Sequence, residues 1–160
     1  MTTAKALSRK QAKEIYNQIE GMFNITLPNN YQLSLNNKAK VFILRKSKHL
    51  DQLNFDFLRT DRLGLYLGEY KNGFFRPSMQ GAQFLVQEAK SQGTSVKNQL
   101  ELSKEQVEIL LKGQELDFPN HPDATALIIT YQTHPICFAQ VKAGKILNYV
   151  PKTFRGTTIL

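Results

Sequence analysis

Ile146-Leu147-Asn148-Tyr149-Val150-Pro151-Lys152-Thr153-Phe154-Arg155 decides how this chain is read, because a strand-like apolar run opens directly into a Pro-Lys-x-x-Arg corner. Pro151 fixes its own φ and has no N–H for a sheet ladder, so the strand ends there and leaves Lys152 and Arg155 on an exposed turn. Two cations on a stiffened turn suit a nucleic-acid phosphate better than a core. Working back from the corner, Ala143-Gly144-Lys145 turns the chain out of a strand running from Ile136 to Lys142. His134-Pro135 turns it out of the apolar run Ala124-Thr125-Ala126-Leu127-Ile128-Ile129-Thr130-Tyr131, a buried strand. Val96 to Leu102 alternates as a further strand, and Ser103-Lys104-Glu105-Gln106 caps a helix with Val107, Leu110 and Leu111 inside, closed by Gly113. The second half is therefore expected to be mainly antiparallel β with one early helix.

The first half begins with a helix that Ser8 caps with Gln11, its inner stripe being Ala12, Ile15, Tyr16, Ile19 and Phe23, frayed at Gly21. Tyr31, Leu33 and Leu35 alternate with polar residues, and Ala39 to Leu44 completes a hairpin. Ser47 starts a short segment through Leu50 and Leu53, and Asp61 to Leu67 supplies a strand ended by Gly68. Asn72-Gly73 makes a tight turn before Phe74-Phe75-Arg76, and Pro77-Ser78 announces a helix with Ala82, Leu85, Val86 and Ala89 inward. Gln92-Gly93-Thr94-Ser95, polar and glycine-containing, is the expected boundary between units 1–92 and 93–160.

A chain of 160 residues with 41% hydrophobic content has enough apolar side chains for a real core. One cysteine excludes an internal disulfide framework and any multi-thiolate metal site. With no apolar leader segment and no run of membrane-spanning length, a cytoplasmic protein without a membrane partner is expected. Lys and Arg number 21 against 13 Asp and Glu, a formal charge of +8, and every residue from Ala124 to Leu160 is free of carboxylate side chains. That acid-free third carries Lys142, Lys145, Lys152 and Arg155, a pattern that fits a polyanion such as nucleic acid. A generally basic soluble surface accounts for the same charge.

Catalytic patterns are weak by comparison. Cys137 and His134 are separated by a turn into an apolar strand, which suits a buried structural thiol better than a nucleophile and its base. His49, His121 and His134 are scattered, no metal set forms, and no glycine-rich phosphate loop marks a cofactor, so none is expected. Glu101, Glu105 and Glu108 read as a solvated helix face. Among the C-terminal aromatics Phe138 reads as core, while Tyr149 and Phe154 suit either packing or base stacking. Lys38, Lys40, Arg45, Lys46 and Lys48 form a second basic cluster, explained as readily by protection of a sheet edge as by RNA contact.

Several of these segments resemble a known family. Leu100-Glu101-Leu102-Ser103, then a helix, then Leu111-Lys112-Gly113-Gln114-Glu115-Leu116 is similar to the start of a PUA-like RNA-binding domain. Pro135 to Lys142 followed by Leu147-Asn148-Tyr149-x-Pro151-Lys152-x-x-Arg155 resembles the PUA-like tail of Sun-family rRNA cytosine-5 methyltransferases. Gly64-Leu65-Tyr66-Leu67-Gly68-Glu69-Tyr70-Lys71 with Phe75-Arg76-Pro77-Ser78 is similar to the segment before that tail, and to the first domain of small ribosome-biogenesis factors built of a pre-PUA and a PUA domain. Cys137 and Ala139 stand where PUA domains usually carry glycines. The resemblance implies an α+β fold, with a small α/β pre-PUA-like domain over 1–92 and a mainly antiparallel β, pseudo-barrel PUA-like domain over 93–160. It further implies binding of RNA, as rRNA or pre-rRNA, in ribosome biogenesis, rRNA processing or RNA modification. The catalytic methyltransferase part has no counterpart here, so no enzyme activity is expected. The RNA contacts expected are Lys142, Lys145, Tyr149, Lys152, Phe154 and Arg155. The alternative is an adaptor whose partner is a separate RNA methyltransferase or ribosome-assembly protein, and a small enzyme using Cys137 is a third reading.

Overall fold

The structure is a computed structural model that describes residues 4–52, 62–123 and 125–156. In chain order come β1 (Lys5–Ala6), α1 (Arg9–Phe23), β2 (Tyr31–Leu35), β3 (Lys40–Arg45), α2 (Lys48–Asp51), β4 (Leu65–Lys71), β5 (Phe74–Pro77) and α3 (Met79–Ser91). Then follow β6 (Gln99–Glu101), α4 (Lys104–Leu111), β7 (Leu116–Asp117), β8 (Ala126–Tyr131), β9 (His134–Lys142), β10 (Lys145–Asn148) and a 3-10 turn over Lys152–Phe154. The first sheet is an antiparallel meander in the order β1-β2-β3-β4-β5, and the second has the order β6-β8-β9-β10-β7, antiparallel except where β6 runs parallel to β8. The fold is α+β. Leu53, Asp61 and Ala124, where expected elements start or end, lie outside the described residues.

Local chemistry explains the elements. Ser8 accepts a hydrogen bond from the Gln11 N–H at 3.2 Å and donates to Gln11 Oε1 at 3.0 Å, which starts α1. The helix runs through Gly21 instead of fraying there, because its apolar stripe continues to the fully buried Phe23 and Asn24 then stops it in the left-handed conformation (φ 58°). The Asn72-Gly73 turn, with φ of 52° and 79°, joins β4 to β5 as expected. A different turn joins β8 to β9: Gln132 and Thr133 take it, at φ 48° and 67°, while His134 and Pro135 already belong to β9. A bulge between Ile129 and Thr130 sets Pro135 opposite Thr130, which is how a proline enters this strand.

β8 and β9 are covered on both faces. Leu127, Ile129, Cys137, Ala139 and Val141 pack with Val107, Leu110 and Leu111 of α4, and Ala126, Ile128 and Phe138 join a cluster with Ile15, Ile19 and Phe23 of α1 and Leu85 and Ala89 of α3. A strand buried on both faces reads as the unbroken apolar run seen at 126–129.

Candidate nucleic-acid interface

The Pro-Lys-x-x-Arg corner is bolted to the end of α4. Asn148 donates through Nδ2 to the Leu110 carbonyl and, at 2.9 Å, to that of Gln114, and Gly156 N–H donates to the Leu111 carbonyl at 2.9 Å. Carbonyls at the end of α4 thereby find donors in the tail. Pro151 leads into the 3-10 turn, closed by Phe154 N–H donating to the Pro151 carbonyl at 2.9 Å. Arg155 folds back, its Nε donating to the Val150 carbonyl at 3.2 Å and its stem crossing Gly113 so closely that a Cβ there would lie 2.9 Å from Cδ. Lys152 is exposed and Phe154 is 44% exposed, so the turn presents a cation and an aromatic ring to solvent.

Lys142 and Lys145 lie at the far end of β10, a strand about 10 Å long. The Ala143-Gly144 turn sets the two lysines opposite each other, an arrangement that repels unless neighbours compensate. Carboxylates from earlier in the chain supply the compensation. Lys145 Nζ lies 3.9 Å from Glu115 Oε2, Asp117 is the register partner of Lys145, and Asp123 Oδ1 accepts from Ala143 N–H at 2.7 Å. The acid-free third of the sequence is thus not acid-free in space.

Tyr149 is built into the junction of the two sheets. Its ring packs against Phe138 at 5.5 Å between centroids, the Arg76 guanidinium lies 4.6 Å from its centroid, and its hydroxyl donates to Gln140 Oε1 at 3.1 Å. Arg76 also pairs with Glu69 at 2.7 Å. The role of Arg76 was not readable from sequence, because its partner ring stands 73 positions away across two sheets; the one signal was the out-and-in alternation of Phe74-Phe75-Arg76 after a tight turn.

The second basic cluster is dispersed. Lys40 Nζ lies 5.3 Å from the Tyr66 ring centroid, and Lys46 Nζ donates to the Asn29 carbonyl at 2.9 Å. β3 lies between β2 and β4, so edge protection does not account for Lys40, while Arg45 stands beyond the residues that pair with β4. Cys137 is 2% exposed, and burial pushes its thiol up to about 12. Among the described residues no group of three or more His, Cys, Asp or Glu is placed to hold a metal, and no helix is long and apolar enough to cross a membrane.

Comparison with known proteins agrees with this geometry. Residues 97–156, from just before β6 to just past the corner, match the family described as Methyltransferase RsmF PUA domain. No curated protein matches the chain. Among solved structures it is similar to the crystal structure of a hypothetical protein from the hyperthermophilic archaeon Pyrococcus horikoshii OT3, with a TM-score of 0.55 and 14% identity over 96% of this chain and 87% of that one. At that identity the likeness is one of fold, and it extends over both sheets. A PUA domain is an RNA-binding module and not a catalytic one. The family match covers sixty residues, which hold β6, α4, β7 to β10 and the corner, and that part of the chain is a PUA domain.

Proposed function

We propose that this protein binds rRNA or pre-rRNA without catalysing a reaction on it, as a component of ribosome biogenesis or RNA modification. The observation that carries the reading is the PUA match over 97–156, which ends on a corner where Lys152 and Phe154 are exposed together. Lys152 and Arg155 serve as phosphate contacts and Phe154 as a base platform, while Lys142 and Lys145 add a more distant, partly neutralised pair. Tyr149 contributes by holding Arg76 at the sheet junction. Units 1–92 and 93–160 divide the work, the second carrying the corner that contacts RNA and the first supporting it.

Crosslinking in cells followed by sequencing of the bound RNA identifies the ligand, and rRNA or its precursors are expected. In titrations, Lys152→Ala with Arg155→Ala should weaken binding similarly across sequences and lower the salt slope by about one unit per lost phosphate contact. Lys10→Ala with Lys13→Ala, on the first helix, should change little. Equal losses from both pairs would sink the site. A pull-down that returned a methyltransferase or assembly factor and no RNA would replace this reading with the adaptor.

A further inference from the structure

A cleft of 1090 Å³ opens between the β4–β5 hairpin, the end of α1 and strands β8 and β9 of the second sheet. Its floor is apolar, formed by Met22, Ala126 and Phe138. Phe74 stands at its mouth 77% exposed, the most exposed of the large hydrophobic side chains described. That exposure is fixed by construction. Asn72-Gly73 turns the hairpin tightly, Phe75 points into the core, and Gln18 clamps the turn by donating to the Gly73 carbonyl and accepting from Phe75 N–H, both at 2.7 Å. The backbone on either side of Phe74 is thereby held, which keeps the ring on the outer face of the hairpin, open to stacking.

The charged residues lining the cleft are Lys71, Arg76 and Glu69, which leave one unbalanced positive charge. Lys71 is exposed beside Phe74, and the lining carboxylate, Glu69, is neutralised by Arg76. Arg76 in turn lies on Tyr149, which stands two residues before the Pro151 corner. We propose that this cleft takes unpaired nucleotides of a single-stranded RNA, a base stacking on Phe74 with Lys71 on a flanking phosphate. The volume exceeds the upper end of small-ligand pockets, about 1,000 Å³, and the mixture of apolar floor, exposed ring and cations is that of single-strand binding surfaces. The inference rests on the RNA-binding reading above.

The test uses the full chain and a short labelled RNA of mixed sequence, presented single-stranded and annealed to its complement. Single strand should be preferred. Phe74→Ala should weaken single-strand binding about 5- to 150-fold, the loss expected for one stacked base, with Phe74→Trp restoring it. Lys71→Ala should lower the salt slope by about one unit. If Phe74→Ala bound the single strand like the wild type while Lys152→Ala with Arg155→Ala lost affinity, the cleft assignment would fail and the RNA-binding reading would stand. A Phe74→Ala loss equal for duplex and single strand would also overturn the assignment. Wild-type protein that bound neither RNA would overturn both.

Discussion

Cys137 and Glu101 show how little of a side chain's chemistry its type reveals. Cys137 faces α4 in a closed apolar cluster, and a thiol held at about 12 stays protonated and unreactive at neutral pH. The folded protein should resist iodoacetamide and the urea-unfolded chain should react readily; rapid modification of the folded form would restore the case for a catalytic cysteine. Cys137→Ser should cost about 1–3 kcal/mol, since it introduces a hydroxyl among apolar neighbours. Glu101 is instead held below the usual carboxylate range, chiefly by the Thr130 hydroxyl donating to it at 2.6 Å and also by the backbone N–H groups of Gln132 and Thr133. Its charged form therefore contributes stability that is fully present above the ordinary carboxylate value of 4.5 and is lost as pH falls through the depressed folded value. Glu101→Gln should flatten the acid limb of the stability curve, measured by urea titration at a series of pH values, and an unchanged limb would count against this pairing. Neither bond was visible in the sequence, where Glu101 read as part of a solvated face. The same limit applies to Lys142 and Lys145, whose neutralising carboxylates lie 22 to 30 positions away from Lys145 and come alongside only through the β7–β10 pairing and the Asp123 loop.

At the scale of elements, the start of α3 shows what local signals establish and what they miss. Pro77-Ser78 announces the helix, and Ser78 caps it by accepting from Gly81 N–H at 2.9 Å. Ser78 also fastens the helix to β4, its hydroxyl donating to the Tyr66 carbonyl at 2.6 Å and its N–H to the Leu67 carbonyl at 2.9 Å. That fastening brings Gly81 so near β4 that a Cβ would lie 1.8 Å from the Leu67 carbonyl oxygen. Gly81→Ala must push the helix off the strand or break the Ser78 contacts, and a loss of about 1–3 kcal/mol is expected in chemical denaturation, as for other overpacked sites. An unchanged or raised stability would show that the helix can shift freely. Caps and tight turns are local, so the starts of α1, α3 and α4 and the Asn72-Gly73 and Ala143-Gly144 reversals were legible from residues within a few positions of one another. β1 and β7 have two residues each and exist only through pairing with β2 and β10, so no periodicity could announce them. The direction of β6 is set by the chain's route under the second sheet, and alternation alone says nothing of parallel or antiparallel.

On the scale of the whole molecule, residues 92–95 lie between two sheets that share an apolar cluster. Ala126, Ile128 and Phe138 of the second half meet α1 and α3 of the first, with the Phe23 and Phe138 rings edge to face at 6.5 Å. Polar ties reinforce the contact: Lys97 N–H donates to the Phe23 carbonyl at 2.9 Å, Asn98 Nδ2 to that of Met22 at 2.8 Å, and Gln83 Nε2 to that of Ile136 at 3.0 Å. Uncovering Ile128 and Phe138 alone would forfeit about 3–6 kcal/mol at about 1.5–3 kcal/mol for each side chain, a large part of the about 5–15 kcal/mol that a folded chain holds in total. Residues 93–160 expressed alone should therefore lack a cooperative transition, and the intact chain should unfold in one step. Phe138→Ala, expected to cost about 3–5 kcal/mol, should lower the hydrogen-exchange protection of α1 and α4 together, although the two helices belong to different halves. Two resolved transitions, or a loss of protection confined to the second half, would show that the halves are stable independently and that the shared cluster is only a contact between them.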